Sequence, residues 1–185
     1  MANILLNCSQ LKLKINLMNS FFKTYLEKDP AAKSVWEVAL LYPGPRAIGM
    51  HRVAHFLYSR KVPFLPRLIS EISRFLSGIE IHPGAEIGRN LFIDHGMGVI
   101  IGETTIIDDD VMLFQGVTLG GRVNKTSSDH RHPHIKSGVL VGAGAKVLGA
   151  VTVGENTKIG ANAVVTKDVK ANAIFAGVPV TEIKK

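Results

Sequence analysis

A single cysteine, Cys8, leaves this chain without an internal disulfide framework and fits a reducing compartment. Its place near the N-terminus marks it as incidental rather than nucleophilic. Aromatic residues make up only 6% of the chain, with one Trp, and none interleave with basic residues. A platform for stacking nucleobases is therefore missing, and no nucleic-acid partner is expected. No apolar run reaches the ~18–20 residues of a membrane-spanning helix, so no membrane role is expected. The opening Met-Ala-Asn-Ile-Leu-Leu-Asn is too short for a secretory leader and lacks a basic start, which makes the cytoplasm the expected compartment. Acidic residues are also few, 15 against 22 Lys and Arg, for a net charge of +7. The imbalance sits in residues 1–80, with eleven bases against five acids, while residues 81–185 carry eleven against ten. A solvated basic helix face, with some cations near an anionic cofactor, accounts for that distribution.

What the sequence has is a period of six. Aliphatic residues recur at Ile81, Ile87 and Ile93, then at Ile101, Ile107, Leu113 and Leu119, then at Val141, Val147, Val153, Ile159 and Val165. A helix repeats its apolar face every 3.6 residues and a strand every 2, so neither yields a strict six. Six residues suffice for one short strand and a turn, and three such units close a triangular coil. Small or branched residues four positions after each aliphatic one, such as Ala85, Thr105, Val117 and Ala163, suit the inside of a narrow coil. One coil cannot bury its inner face alone, so neighbours must stack.

Before the repeats the pattern is helical. Leu11, Ile15, Met18, Phe22 and Tyr25 define an amphipathic helix over roughly 10–28. Asp29-Pro30 reads as the start of a second helix reaching about Tyr42. Pro43-Gly44-Pro45 breaks it, a third helix runs through His51 and His55 towards Arg60, and a fourth follows Pro63 and Pro66 and ends at Gly78. The expected class is α+β: an α-helical domain over 1–78, a β-helix over 79–180 and a short end at 181–185. The register slips twice, by two residues around Gly96-Met97-Gly98 and by a longer insertion between Leu119 and Val141, expected to protrude at about 121–138. Insertions in a solenoid project from one face and often carry function. Polar, reactive side chains gather at both slips.

These segments resemble one family. Ile81-His82-Pro83-Gly84-Ala85-Glu86-Ile87-Gly88, Ile93-Asp94-His95-Gly96 and Gly98-Val99-Ile100-Ile101-Gly102-Glu103-Thr104 are similar to serine O-acetyltransferases of the hexapeptide-repeat class. So are Val117-Thr118-Leu119-Gly120-Gly121, Arg131-His132-Pro133 and Ala176-Gly177-Val178-Pro179. The resemblance extends over about 29–180. It implies a left-handed parallel β-helix, although a right-handed crossover is the general rule. It also implies acetyl transfer from acetyl-CoA to the L-serine hydroxyl, giving O-acetylserine for cysteine biosynthesis.

The residues suit that chemistry. A serine hydroxyl needs a base to take its proton, and imidazole is the side chain for this at neutral pH. By resemblance His95 is the base, Glu80 (where the family has Asp) orients it, and His132 lies near the reacting hydroxyl. Asp94 and Asp29 match positions that hold the substrate ammonium, and Arg131 the position that holds its carboxylate. Gly121, Ala143 and Ala161 are the expected CoA contacts, and Lys158, with Lys146, could meet its phosphates. No Cys or Ser nucleophile beside a base is evident, so direct transfer in a ternary complex is expected, without metal. The family often has Arg two residues after Gly-Val-Pro, where this chain has Val180-Thr181, and a longer tail ending in Ile. Docking to O-acetylserine sulfhydrylase is accordingly not expected. A trimer or a dimer of trimers is.

Three rivals remain at this level. Another acceptor, such as homoserine or a sugar, could replace serine, although paired acids and an Arg favour an amino-acid zwitterion. A three-His zinc site from His130, His132 and His134 is opposed by the cationic Arg131 among them. A non-catalytic β-helical interaction module would leave the Asp-His and Arg-His pairs without purpose.

Overall fold

The computed structural model describes residues 21–122, 130–178 and 180–183. The chain divides into two compact units, Met1–Leu41 and Tyr42–Lys185. In the first, residues 21–28 form helix α1, where the Phe21 ring packs edge-on against Phe22 and Tyr25. Residues 10–20 of the expected first helix lie outside the described residues. Asp29 does not open the next helix. Its Oδ1 accepts the Ala31 N–H at 2.8 Å in a turn, and α2 (Val35–Leu41) begins after Ser34. Ser34 Oγ accepts the Glu37 N–H at 3.2 Å, while the Glu37 carboxylate reaches back to the Lys33 N–H at 3.0 Å. A hydroxyl near a free N–H outcompetes the Asp-Pro signal here.

The second unit opens with α3 (Pro43–Ser59), which starts on the expected Pro-Gly-Pro because proline at a first turn sacrifices no hydrogen bond. Helix α4 (Leu65–Ser77) ends at Gly78, left-handed at φ 71°. A side chain at Gly78 would also collide with the Met97 sulfur, 2.6 Å from a built Cβ. Both helices seal one end of the repeats. Arg52 donates to the carbonyls of Ile87 and Gly88 at 2.7 and 2.6 Å, His55 Nδ1 donates to Pro83 O at 2.8 Å, and Ser70 Oγ donates to Ile81 O at 2.6 Å.

The repeats form three parallel sheets from very short strands: β1 (Glu80–Ile81), β2 (Glu86–Ile87), β3 (Phe92–Ile93), β4 (Ile100–Ile101), β5 (Ile106–Ile107), β6 (Met112–Leu113), β7 (Thr118–Gly120), β8 (His134–Ile135), β9 (Leu140–Val141), β10 (Lys146–Leu148), β11 (Thr152–Val153), β12 (Lys158–Ile159), β13 (Val164–Val165) and β14 (Ile174–Ala176). The sheet orders are β1-β4-β7-β10-β13, β2-β5-β8-β11, and β3-β6-β9-β12-β14. Up to β13 each strand pairs with the one three before it, which makes a three-sided coil; β14 pairs with β12, the side between β13 and β14 being marked by a single Val153–Val169 bridge. The six-residue aliphatic positions fall in three columns: Ile81, Ile101, Leu119, Val147 and Val165; Ile87, Ile107, Ile135 and Val153; Ile93, Leu113, Val141, Ile159 and Phe175. Apart from Phe175 they are buried. Each fully buried side chain contributes roughly 1.5–3 kcal/mol. Ile135 restores the six-residue register one strand earlier than Val141. A short antiparallel β15 (Thr181–Glu182) pairs with β14 and covers that edge of its sheet.

Position by position, the coil explains its small residues. A Cβ at Gly142 would stand 2.7 Å from the Ala161 amide nitrogen, and one at Gly154 2.4 Å from that of Ala171. Stacked backbones leave no room there.

Candidate active site

One vertex of the coil joins the β3 sheet to the β1 sheet. Here the two-residue slip throws out Asp94-His95-Gly96-Met97-Gly98. Gly98 N donates to Gly78 O and Glu80 N to Val99 O, both at 2.9 Å, which fastens this loop beside the strand that carries Glu80. His95 itself takes φ 57°, a left-handed conformation uncommon for residues other than glycine, and its side chain is 74% exposed. Its Nε2 lies 4.0 Å from Asp94 Oδ1. Glu80 meets Arg74 at 3.5 Å and Arg67 at 3.7 Å. The same vertex continues along the coil through Gly116 N to Met97 O (2.9 Å), Gly144 N to Gln115 O (2.8 Å) and Asn162 N to Ala143 O (2.8 Å). His95, Ala143 and Ala161 therefore share one edge, with the Lys146 ammonium donating to Gly116 O in the adjoining sheet. Lys158 is exposed on β12.

The next vertex, at the far end of β4, carries the second polar group. The long insertion returns there, bringing Arg131 and His132 against Gly102-Glu103-Thr104. His132 is 6% exposed. Its Nδ1 lies 3.1 Å from the Thr104 N–H nitrogen and 2.9 Å from Thr104 Oγ1. That Oγ1 also accepts the backbone N–H groups of Arg131 (3.0 Å) and His132 (3.2 Å). Arg131 donates to Glu103 Oε2 at 3.3 Å, and Tyr58 from α3 donates to Glu103 Oε1 at 3.0 Å. A cleft of about 390 Å³ opens here between Tyr58, Gly84, Glu103, Thr104 and His130. Gly121 lies alongside, a Cβ built on it standing 3.5 Å from both Arg131 O and His132 Nε2.

Burial favours the neutral form of two histidines here, His132 and His82. Burial lowers the His132 pKa, and Arg131 lowers it further. Burial likewise lowers that of His82, whose Nδ1 accepts the Gly84 N–H at 3.0 Å and whose ring meets Tyr58 edge-on at 5.8 Å. For Glu103 burial opposes ionisation, but the Tyr58 hydroxyl, His82 and Arg131 together prevail and hold it below the usual carboxylate range. The bond to Glu103 raises Tyr58, with burial adding to it.

Among the expected site residues, then, His95, Asp94, Ala143 and Ala161 gather at one vertex, with Glu80 close by in the chain's path. Arg131, His132 and Gly121 gather at the next. Asp29 belongs to the other compact unit. Glu103, Thr104, His82 and Tyr58 had no assigned role. The first three lay within the resembling motifs as polar residues at turns, while Tyr58, on a helix, gave no signal. His132 and His134 address different partners, Thr104 and Asp108 (2.9 Å), so they do not converge. No group of three metal-ligating side chains forms among the described residues, and no helix of the described residues is long and apolar enough to cross a membrane.

The six-residue coil finds its class in a family comparison: residues 132–167 match the bacterial transferase hexapeptide (six repeats). Over 160 residues the chain is 54% identical to a serine acetyltransferase of Helicobacter pylori, covering 86% of this chain and 92% of that one. It is 52% identical over 158 residues to the serine acetyltransferase of Synechococcus elongatus, covering 85% of this chain and spanning 64% of that relative's length. The crystal structure of a serine acetyltransferase from Brucella abortus in complex with coenzyme A superposes with a TM-score of 0.87 at 39% identity, over 92% of this chain and 68% of that one. The chain belongs to the serine acetyltransferase family.

Proposed function

We propose that this protein transfers the acetyl group of acetyl-CoA to the hydroxyl of L-serine, yielding O-acetylserine and CoA for cysteine biosynthesis in the cytoplasm. The observation that carries the reading is the pair of polar vertices at the two ends of β4, one with an exposed imidazole and the other with a guanidinium. Each chain holds two half-sites, and a left-handed coil assembled as a trimer, or as a dimer of trimers, would set one chain's His95 vertex against its neighbour's Arg131 vertex.

In that assembly Arg131 receives the serine carboxylate, and Asp94 receives the ammonium. His95 takes the hydroxyl proton as the serine oxygen bonds to the thioester carbon. Glu80 stabilises the imidazolium so formed. The tetrahedral intermediate then expels the CoA sulfur, which takes the proton back from His95, so no proton is gained or lost. General-base assistance of this kind contributes ~10²–10⁴-fold. His132 donates to oxygen at the reacting centre. Gly121, Ala143 and Ala161 admit the pantetheine arm because they present little beyond backbone, and Lys158 meets the CoA phosphates.

Thiol release from acetyl-CoA tests the reading. L-serine should drive release, while homoserine, glucosamine and galactosides should not. A folded protein that releases thiol equally without serine, or prefers another acceptor, contradicts it.

A further inference from the structure

We infer that Thr104 is a positioning residue: its hydroxyl and N–H hold His132 as the Nε2–H tautomer, which makes His132 a hydrogen-bond donor and not a second base. The inference rests on the proposed serine acetylation for its catalytic meaning, though not for its geometry.

Lone-pair accounting leads to it. Thr104 Oγ1 has two lone pairs and one proton. Both lone pairs are taken, by the N–H groups of Arg131 at 3.0 Å and His132 at 3.2 Å. Among the described residues the remaining proton has one acceptor within reach, His132 Nδ1 at 2.9 Å. The Thr104 N–H aims at the same nitrogen from 3.1 Å. Two donors converging on Nδ1 leave it no room for a proton, so in the neutral ring the proton sits on Nε2. Protonating Nδ1 would break both bonds and set two N–H groups against each other. Nε2 is then an N–H donor. It lies beside Gly121, which is proposed to line the CoA arm, and its ring is pressed onto Gly102, where a Cβ would stand 2.2 Å from Nε2. The imidazole is thus fixed in orientation, in tautomer and in charge. A fixed donor can stabilise negative charge that develops on oxygen without reorganising as it forms. It also leaves proton abstraction to the exposed His95.

The test uses the intact assembled protein labelled with ¹⁵N-histidine. Long-range ¹H–¹⁵N correlation should show His132 protonated at Nε2 and bare at Nδ1 at pH 7 and above. Thr104→Val should raise the His132 titration midpoint by about one unit or more and lower kcat at least about tenfold, with the acetyl-CoA KM within about twofold. Thr104→Ser should restore both. His132→Gln, whose amide nitrogen takes the Nε2 place, should retain at least about tenfold more activity than His132→Asn, whose amide takes the Nδ1 place. This pair and Thr104→Ser decide the matter even if the valine variant fails to fold. An Nδ1–H or doubly protonated ring at pH 7, or asparagine outperforming glutamine, overturns the inference. If the parent protein does not acetylate serine, the functional reading falls by itself, and the spectrum still decides the tautomer.

Discussion

The His132 imidazole lies on Gly102 so closely that a Cβ there would stand 2.1 Å from the ring's Cδ2. Glycine at 102 is therefore a requirement of the site, beyond the coil's general preference for small corners. Gly102→Ala should displace the ring and lower kcat at least about tenfold, while the overpacking destabilises the fold by about 1–3 kcal/mol. Kinetics beside urea denaturation would show both. Unchanged kcat would mean that the ring's position is unimportant.

His95→Ala should lower turnover at least ~100-fold, as expected for loss of a general base. Its exposed side chain makes few contacts to lose, so the thermal midpoint and the assembly should be preserved. Sedimentation alongside thiol-release kinetics would separate a chemical defect from a structural one.

Arg131→Lys should raise the serine KM about tenfold or more and leave that for acetyl-CoA near its original value. A lysine keeps the charge but loses the planar fork that matches a carboxylate. Equal effects on both substrates would detach Arg131 from the serine carboxylate.

His51 predicts an acid-labile fold. Burial, together with the neighbouring His55 and Arg52, lowers its pKa from 6.5 to about 3. Between those values the unfolded chain binds a proton that the folded chain refuses, so this contribution is complete above about pH 6.5 and fades as pH falls towards 3. From pH 7 to 4.5 the protein should lose roughly 2–3 kcal/mol more than a His51→Leu variant. Urea midpoints at the two pH values measure this, and parallel losses would contradict it.

The coil was legible in the sequence because its period of six is enforced at every turn by the same buried column. Ile135 escaped because the long insertion hid its register, and only the pairing with Ile107 and Val153 restores it. Local chemistry misled at Asp29, where proline and an acid signal a helix start but Ser34, five residues on, holds the cap. Gly102 and Thr104 were visible as motif letters without a reason. Their reason is a contact with His132, 28 or more residues away, brought back by the insertion's return to the coil. Spacing along one chain cannot express such a contact. Tyr58 is more remote still, since its link to Glu103 depends on how α3 seats on the first coil.

The most direct trial of the central claim is a crystal structure of the assembled protein with L-serine and CoA. The account predicts the serine hydroxyl within hydrogen-bond reach of His95 from one chain, with the carboxylate on Arg131 from its neighbour. Serine bound away from every His95, or His95 turned outward and remote from Arg131 of all adjoining chains, would contradict it.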